Sequence, residues 1–518
     1  MRFHVTRPRL CRLLVVIGLL GASPAYAQSA AGTDPLRDSY RLLYNGDKKG
    51  AVLAFDSLVK AKPELPARFG WLMAERSRLS DGSLRPAFEK TLDAFINDAD
   101  KRVGKNGKDT EALFYLAQGH FMRAEFRFTY NKGMWGAARD GANAKDYIER
   151  YIKLRPDDAD AYLVLGMYNY YVDIAPSFVK FLSFLLFLPG GDRVNGLKQV
   201  ERAAAQGALF APVAKSMLVE IYSDFEGRGM DAIAQAEQLQ RQFPNNDDIA
   251  FKLAAIYSGN LVEDRAHAAQ VYQGIIERRK NDKTPEGAGS HYNAVLGLAT
   301  LKREEWKIDE AIAMLTPTID AKVTTPDWVL PRFLMVRSNF RSVLNDPAAE
   351  EDAKRVLADP QMGAQHGNAT NVVKQIEQRR TTGEAATIAA LIPGNRLTAE
   401  GKWDEAQKAY ELVRAKDPQN AIVRYRLAYL DFTRGRIDAA MPVFVALAGN
   451  KTALAAVRAQ SQLHIARIHD LAGRRVEAKK AYQRVIDDFE AQPASVSAAK
   501  VGLITAYHRP ATARPAGD

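Results

Sequence analysis

At 518 residues, with 47% hydrophobic and 26% charged side chains, the chain is too long for one ordinary core and too apolar to be disordered. Its formal charge of +11 is spread over interleaved Lys, Arg, Asp and Glu without a long basic block, which argues against nucleic acid as a partner. The one cysteine, Cys11, excludes a disulfide framework.

The first element in chain order is a targeting segment over residues 1–27. Arg2, Arg7, Arg9 and Arg12 precede a short apolar run, Leu13 to Ala22, and then the small-residue site Ala25-Tyr26-Ala27. The run is well short of the roughly 20 residues that span a bilayer. The segment therefore reads as a signal peptide cleaved near Ala27, and the mature chain as periplasmic or secreted. Cys11 and the four arginines leave with it, which lowers the charge to +7. Cys11 precedes the apolar run, the wrong side for a lipoprotein.

From residue 28 onward strand signals are scarce, and amphipathic stretches of about 12 to 18 residues recur between glycine, proline and Asp/Asn breakers. The class is all-α. Gly46, Ala51 and Phe55 set an offset that returns at Gly401, Ala406, Tyr410, at Gly435, Ala440, Phe444 and at Gly473, Ala478, Tyr482. In each, glycine turns the backbone between two helices, alanine lets them approach closely, and the ring fills the gap to the next pair. Lys62-Pro63, Arg155-Pro156 and Phe243-Pro244 read as helix stops.

A candidate recognition surface follows on the helix through Leu113 to Arg127. His120, Arg123 and Arg127 are spaced three and four residues apart and share a face, Trp135 and Arg139 come on the next helix, and Tyr168 and Tyr171 on the one after. Guanidinium forks beside rigid tyrosines suit an extended peptide or an acidic group. The alternative is internal bridging of the arginines to Glu125 and Asp140, with the tyrosines as packing between repeats.

Residues 174–193 form an apolar insert, with Phe178, Phe181, Phe184 and Phe187 every third residue, Leu185 among the leucines between them, and Lys180 the one charge before Asp192. It reads either as a helix buried inside the superhelix or as an exposed contact for a partner or a membrane surface. Gly190 and Gly191 make a turn, and Asp192 caps the helix that follows. Weaker units centre on Ala268 with Tyr272, Ala311 with Leu315 and Ala349 with Val356. An irregular connector spans 359–387, bridged by a helix at Val372 to Arg380. A second array covers 388–508, closed by a capping helix at Val496 to His508, and 509–518 reads as a loose tail.

Gly401 and Gly435 lie thirty-four residues apart, and the unit from Ala421 to Lys451 has Leu427-Ala428 in its first helix, Gly435 at the turn and Ala440 and Phe444 in its second. Here the chain resembles the tetratricopeptide repeat superfamily, and within it a bacterial exported subgroup. The resemblance implies a right-handed superhelical solenoid of antiparallel helix pairs over 28–358 and 388–508, and a non-catalytic scaffold for a peptide or protein. The family's clamp for a terminal carboxylate uses lysine and asparagine at places held here by Tyr425 and Tyr429, and by Leu163 and Met167, so that mode is not expected. No His-Glu-x-x-His, phosphate-loop or serine-elbow pattern occurs, so neither cofactor nor metal nor catalysis is expected. Two functions remain open: an exported scaffold in envelope assembly or maintenance, and a peripheral membrane protein that uses Phe178 to Leu188.

Overall fold

Caps and breakers in the sequence set the helix ends. Asp34, Asp47, Asp109, Asp192, Asn246, Asp264 and Asn420 each precede a helix and accept hydrogen bonds from its otherwise unpaired first N–H groups. Asp192 is thus the cap expected after the two glycines. Helices stop at Ala61, Leu154 and Gln242, two residues before Pro63, Pro156 and Pro244. The computed structural model describes residues 34–174, 190–259 and 261–509; among these it has 24 α-helices and no strand. The fold is an all-α helical-repeat solenoid.

Each repeat is closed in the way the Gly-Ala-aromatic register requires. Gly46, Gly401, Gly435 and Gly473 have φ of +88°, +74°, +85° and +71°. In that left-handed region glycine carries no Cβ penalty. Five residues on, Ala51, Ala406, Ala440 and Ala478 are fully buried where helices touch. Phe55 packs on Gly70 and Tyr482 on Gly502, each in the following helix, and a Cβ at Gly70 would fall 2.1 Å from Phe55 Cε1. Tyr410 instead packs back on Gly394 in the preceding helix, so there the ring fills its own hairpin.

The degraded middle units keep this geometry without glycine. Glu263 and Trp306 adopt φ of +55° and +60°, five residues ahead of the fully buried Ala268 and Ala311. They stand where the turn glycine stands elsewhere.

Stacked hairpins share their cores. One cluster of buried side chains runs from Tyr40 to Leu301, a second from Leu296 to Val372, a small one holds Leu391, Ala406, Tyr410, Val423 and Leu430, and another runs from Tyr425 to Ala499. Burial of a ring or leucine in such a cluster contributes about 1.5–3 kcal/mol. The segment expected as an irregular connector is mostly helical. A 3₁₀ turn at Pro360–Gln365 leads into helix His366–Thr381, longer than the one anticipated, because Ala369 and Val372 dock on the second core. The terminal helix runs Pro493–Ile504, earlier than Val496 to His508. The stretch after it leaves the helix because Tyr507 N donates to Asp470 at 2.8 Å.

The solenoid coils back on itself. Lys48 Nζ meets Asp248 at 2.7 Å, Asn246 Nδ2 donates to Tyr44 O at 2.8 Å, and Lys49 meets Glu286 at 2.7 Å. The first hairpin thus rests on helices some two hundred residues later. Further along, Gly227 lies against Thr505, and Arg396 pairs with Asp309 at 2.8 Å. These contacts set the C-terminal array beside the middle one.

Candidate functional site

Helix Thr110–Thr129 carries the His120, Arg123 and Arg127 face, and the structure turns that face toward helices Arg85–Lys105 and Met134–Leu154. All three side chains converge on Asp140. His120 Nδ1 lies 2.9 Å from Asp140 Oδ1, Arg123 Nη2 donates to the same oxygen at 2.7 Å, and Arg127 Nη1 donates to Oδ2 at 2.5 Å. Arg123 Nη1 also reaches Asp93 at 2.8 Å, and the His120 ring stacks on Tyr147 at 5.6 Å. The Asp140 side chain is only 3% exposed. Burial opposes its ionisation, but the hydrogen bonds from His120 and Arg123 and the nearby guanidinium charges outweigh it and hold the carboxyl below its ordinary pKa. The arginines therefore staple three helices together. Glu125, the other internal partner considered, pairs with Arg76 instead.

The remaining members of this group separate. Trp135 is half exposed and Arg139 exposed in the first two turns of helix Met134–Leu154, and Met134 beside them and Phe128 at the end of the preceding helix are also uncovered. Tyr168 is buried, with Lys145 Nζ 5.2 Å from its ring centre. Tyr171 is half-buried, and its hydroxyl donates to Glu220 at 3.4 Å. Phe178, Phe181, Phe184 and Leu185 lie outside the described residues. What this region leaves uncovered is a rim, Trp135 and Arg139 with Phe128 and Met134, beside an internally paired ion network.

A second site arises where the C-terminal array faces the middle one. One cavity of about 610 Å³ is lined by Arg265, Trp306, Asn395, Tyr410, Arg426 and Tyr429 among others. A neighbouring cavity of about 360 Å³ is lined by Glu263, Arg467, Tyr482, Tyr507 and Arg509 among others. The loop at 261–265 contributes to both. Two consecutive first helices, Ala421–Thr433 and Ala455–Leu471, bring Arg426 and Arg467 to this face. Between them lies an aromatic wall in which His464 packs 5.4 Å from Tyr429 and 4.9 Å from Phe432. In the sequence only Tyr425 and Tyr429 stand out on this face. Arg426 directly follows Tyr425 and is the one further local signal, whereas the opposing wall is far away in the chain and leaves no linear trace.

Among the described residues no group of three or more His, Cys, Asp or Glu is placed to hold a metal ion, and no helix is long and apolar enough to cross a membrane.

Repeating hairpins around open clefts define a helical-repeat scaffold. Two tetratricopeptide repeat models match the chain, one over residues 397–461 and one over 460–490. Residues 397–490 are thus a tetratricopeptide repeat region, and the same turn, alanine and ring register recurs outside it at Gly46, Ala51 and Phe55. No curated protein matches it. Among solved structures it is similar to Naa15/Naa10 bound to HypK-THB, at 12% identity and a TM-score of 0.24, over 86% of this chain and 67% of that one. It is also similar to the tetratricopeptide repeat domain of P58(IPK), at 11% identity and a TM-score of 0.17, over 74% of this chain and 98% of that one.

Proposed function

We propose that this protein is an exported, non-catalytic scaffold that holds a peptide or protein segment, acting in assembly or maintenance of the cell envelope. The observation that carries the reading is the open cleft between successive turns of a repeat array, walled by tyrosine and arginine rather than by a converging acid, base or metal set. Export rests on the Arg-rich, apolar and Ala25-Tyr26-Ala27 pattern of residues 1–27. The rim at Trp135 and Arg139 offers a second contact of the same kind, since aromatic side chains and arginine dominate contact energies at interfaces.

In the test, the protein is cross-linked in its native envelope, and captured proteins are mapped back to the residues they touch. Discrete partners joined to the cleft or to the Trp135 rim are expected. Flotation of the protein with anionic vesicles, abolished by Phe181→Ser, Phe184→Ser and Leu185→Ser, would replace this reading with a peripheral membrane role.

A further inference from the structure

We propose that the cleft between the C-terminal array and the turns at 261–265 and 304–307 takes an acidic peptide segment, with Arg426 and Arg467 holding its carboxylates. The inference rests on the scaffold reading and gives it a place and a ligand chemistry.

The first argument is charge. Arg426 lies 5.8 Å from the Tyr425 ring and Arg467 4.7 Å from that of Tyr507, and neither has an ion pair or hydrogen bond among the described residues. Arg426 Nε is buried with no acceptor. Withdrawn arginines elsewhere in the chain have one: Arg123 has Asp140, Arg337 has Asp352 at 2.8 Å, and Arg279 has Asp247 at 2.8 Å. The acids near Arg426 are already engaged, Glu304 with Arg265, Glu305 with Lys307 and Glu400 with Lys402. The cleft therefore presents guanidinium donors that no other described residue satisfies. A carboxylate matches that planar fork, and each such bond is charge-assisted.

The second argument is backbone conformation. The turns at Gly46, Gly401, Gly435 and Gly473 use glycine for the left-handed residue, whereas the two turns on the cleft wall use Glu263 and Trp306. Asn131, Lys322 and Asn345 take the same conformation elsewhere, so what sets Glu263 and Trp306 apart is their place on the cleft. Each of the two lines a cavity, Glu263 the smaller and Trp306 the larger. Burial pushes the Glu263 carboxyl above its usual pKa against the pull of the Arg265 and Arg467 charges, and it makes no ion pair with either. Trp306 and Tyr429 supply flat apolar area for the stem of the segment.

The proposal is tested on the protein by fluorescence anisotropy at low salt, with a fluorescein-labelled decapeptide of alternating glutamate and glycine and its glutamine counterpart. The glutamate probe is expected to bind, to weaken with added salt, and to quench tryptophan emission in the parent but not in Trp306→Phe. Arg426→Gln with Arg467→Gln should weaken binding by at least about tenfold, while circular dichroism stays unchanged. If that double variant does not fold, the Trp306-dependent quench and its salt dependence in the parent decide. No binding at millimolar probe, equal binding of the glutamine peptide, or indifference to the double substitution would overturn the proposal. Should the double variant capture the same envelope partners as the parent, the scaffold reading stands and this site falls. Should the parent capture none, the scaffold reading itself falls.

Discussion

Replacing Asp140 by alanine removes the acceptor on which His120, Arg123 and Arg127 converge. In the folded protein its carboxylate is almost wholly enclosed, while Arg123 keeps Asp93 at 2.8 Å and Arg127 is 26% exposed. Breaking a fully buried pair costs about 3–5 kcal/mol because the surviving charge is stranded. Here both survivors have some relief, so we expect a loss of about 2–3 kcal/mol. The converse change, Arg123→Ala with Arg127→Ala, leaves the carboxylate enclosed with only His120 and should cost about 3–5 kcal/mol. Urea unfolding followed by far-ultraviolet circular dichroism measures both. The pH dependence is an independent check. Asp140 titrates below its unfolded value, so as pH falls the unfolded chain takes the proton first and the stabilisation disappears. The gap between parent and Asp140→Ala should therefore be full near about pH 6 and close on acidification through the carboxylate range. A double arginine variant that unfolds at the parent's urea midpoint yet no longer captures a partner would refute this reasoning, because the arginines would then be facing outward.

Other sites give distinct outcomes. His464 is enclosed by aromatic rings with Arg467 one turn on, and burial together with that charge pushes its pKa down to about 3. The unfolded chain protonates first as pH drops below about 6.5, so roughly 2 kcal/mol should be lost by about pH 5. Its histidine resonance, identified by its absence in His464→Phe, should not titrate between those values, and the variant should lose that part of the acid sensitivity; titration at an ordinary pH would contradict the burial. Asp160 accepts from the backbone N–H groups of Ala208, Leu209 and Phe210 at 3.1, 2.8 and 2.9 Å. Asp160→Ala should cost about 2–4 kcal/mol and speed amide exchange at those three positions. Gly196 lets two helices touch: a Cβ there would stand 2.5 Å from Tyr170 N. Gly196→Ala should lower stability by about 1–3 kcal/mol in thermal unfolding, and an unchanged melting temperature would mean that the pair can slide apart.

The repeat was legible wherever its residues are irreplaceable. Gly435, Ala440 and Phe444 could be read directly because a left-handed turn, a close helix crossing and a filled gap admit few other side chains. The same turn was invisible at Glu263 and Trp306, where a side chain is tolerated in the strained conformation and the marker glycine is missing. At 359–387 low apolar content suggested irregular chain, but two side chains, Ala369 and Val372, sufficed to dock a helix on a neighbour. For the candidate site, helical spacing put His120, Arg123 and Arg127 on one face but could not say which way that face turned.

Local patterning by itself determined the all-α class, the hairpin register and most helix ends, because caps, breakers and 3.6-residue periodicity act within a few residues of the chain. Coiling alone decided the rest. The return of the chain after some two hundred residues set Lys48 against Asp248, and the packing of the C-terminal array on the middle one opened the cleft that faces Arg426 and Arg467. It also fell to packing to give Arg123 and Arg127 an internal carboxylate and to leave those two guanidinium groups without one among the described residues. Whether a charge is spent inside or offered outside depends on which surfaces meet, and surfaces that meet across such distances share no local pattern.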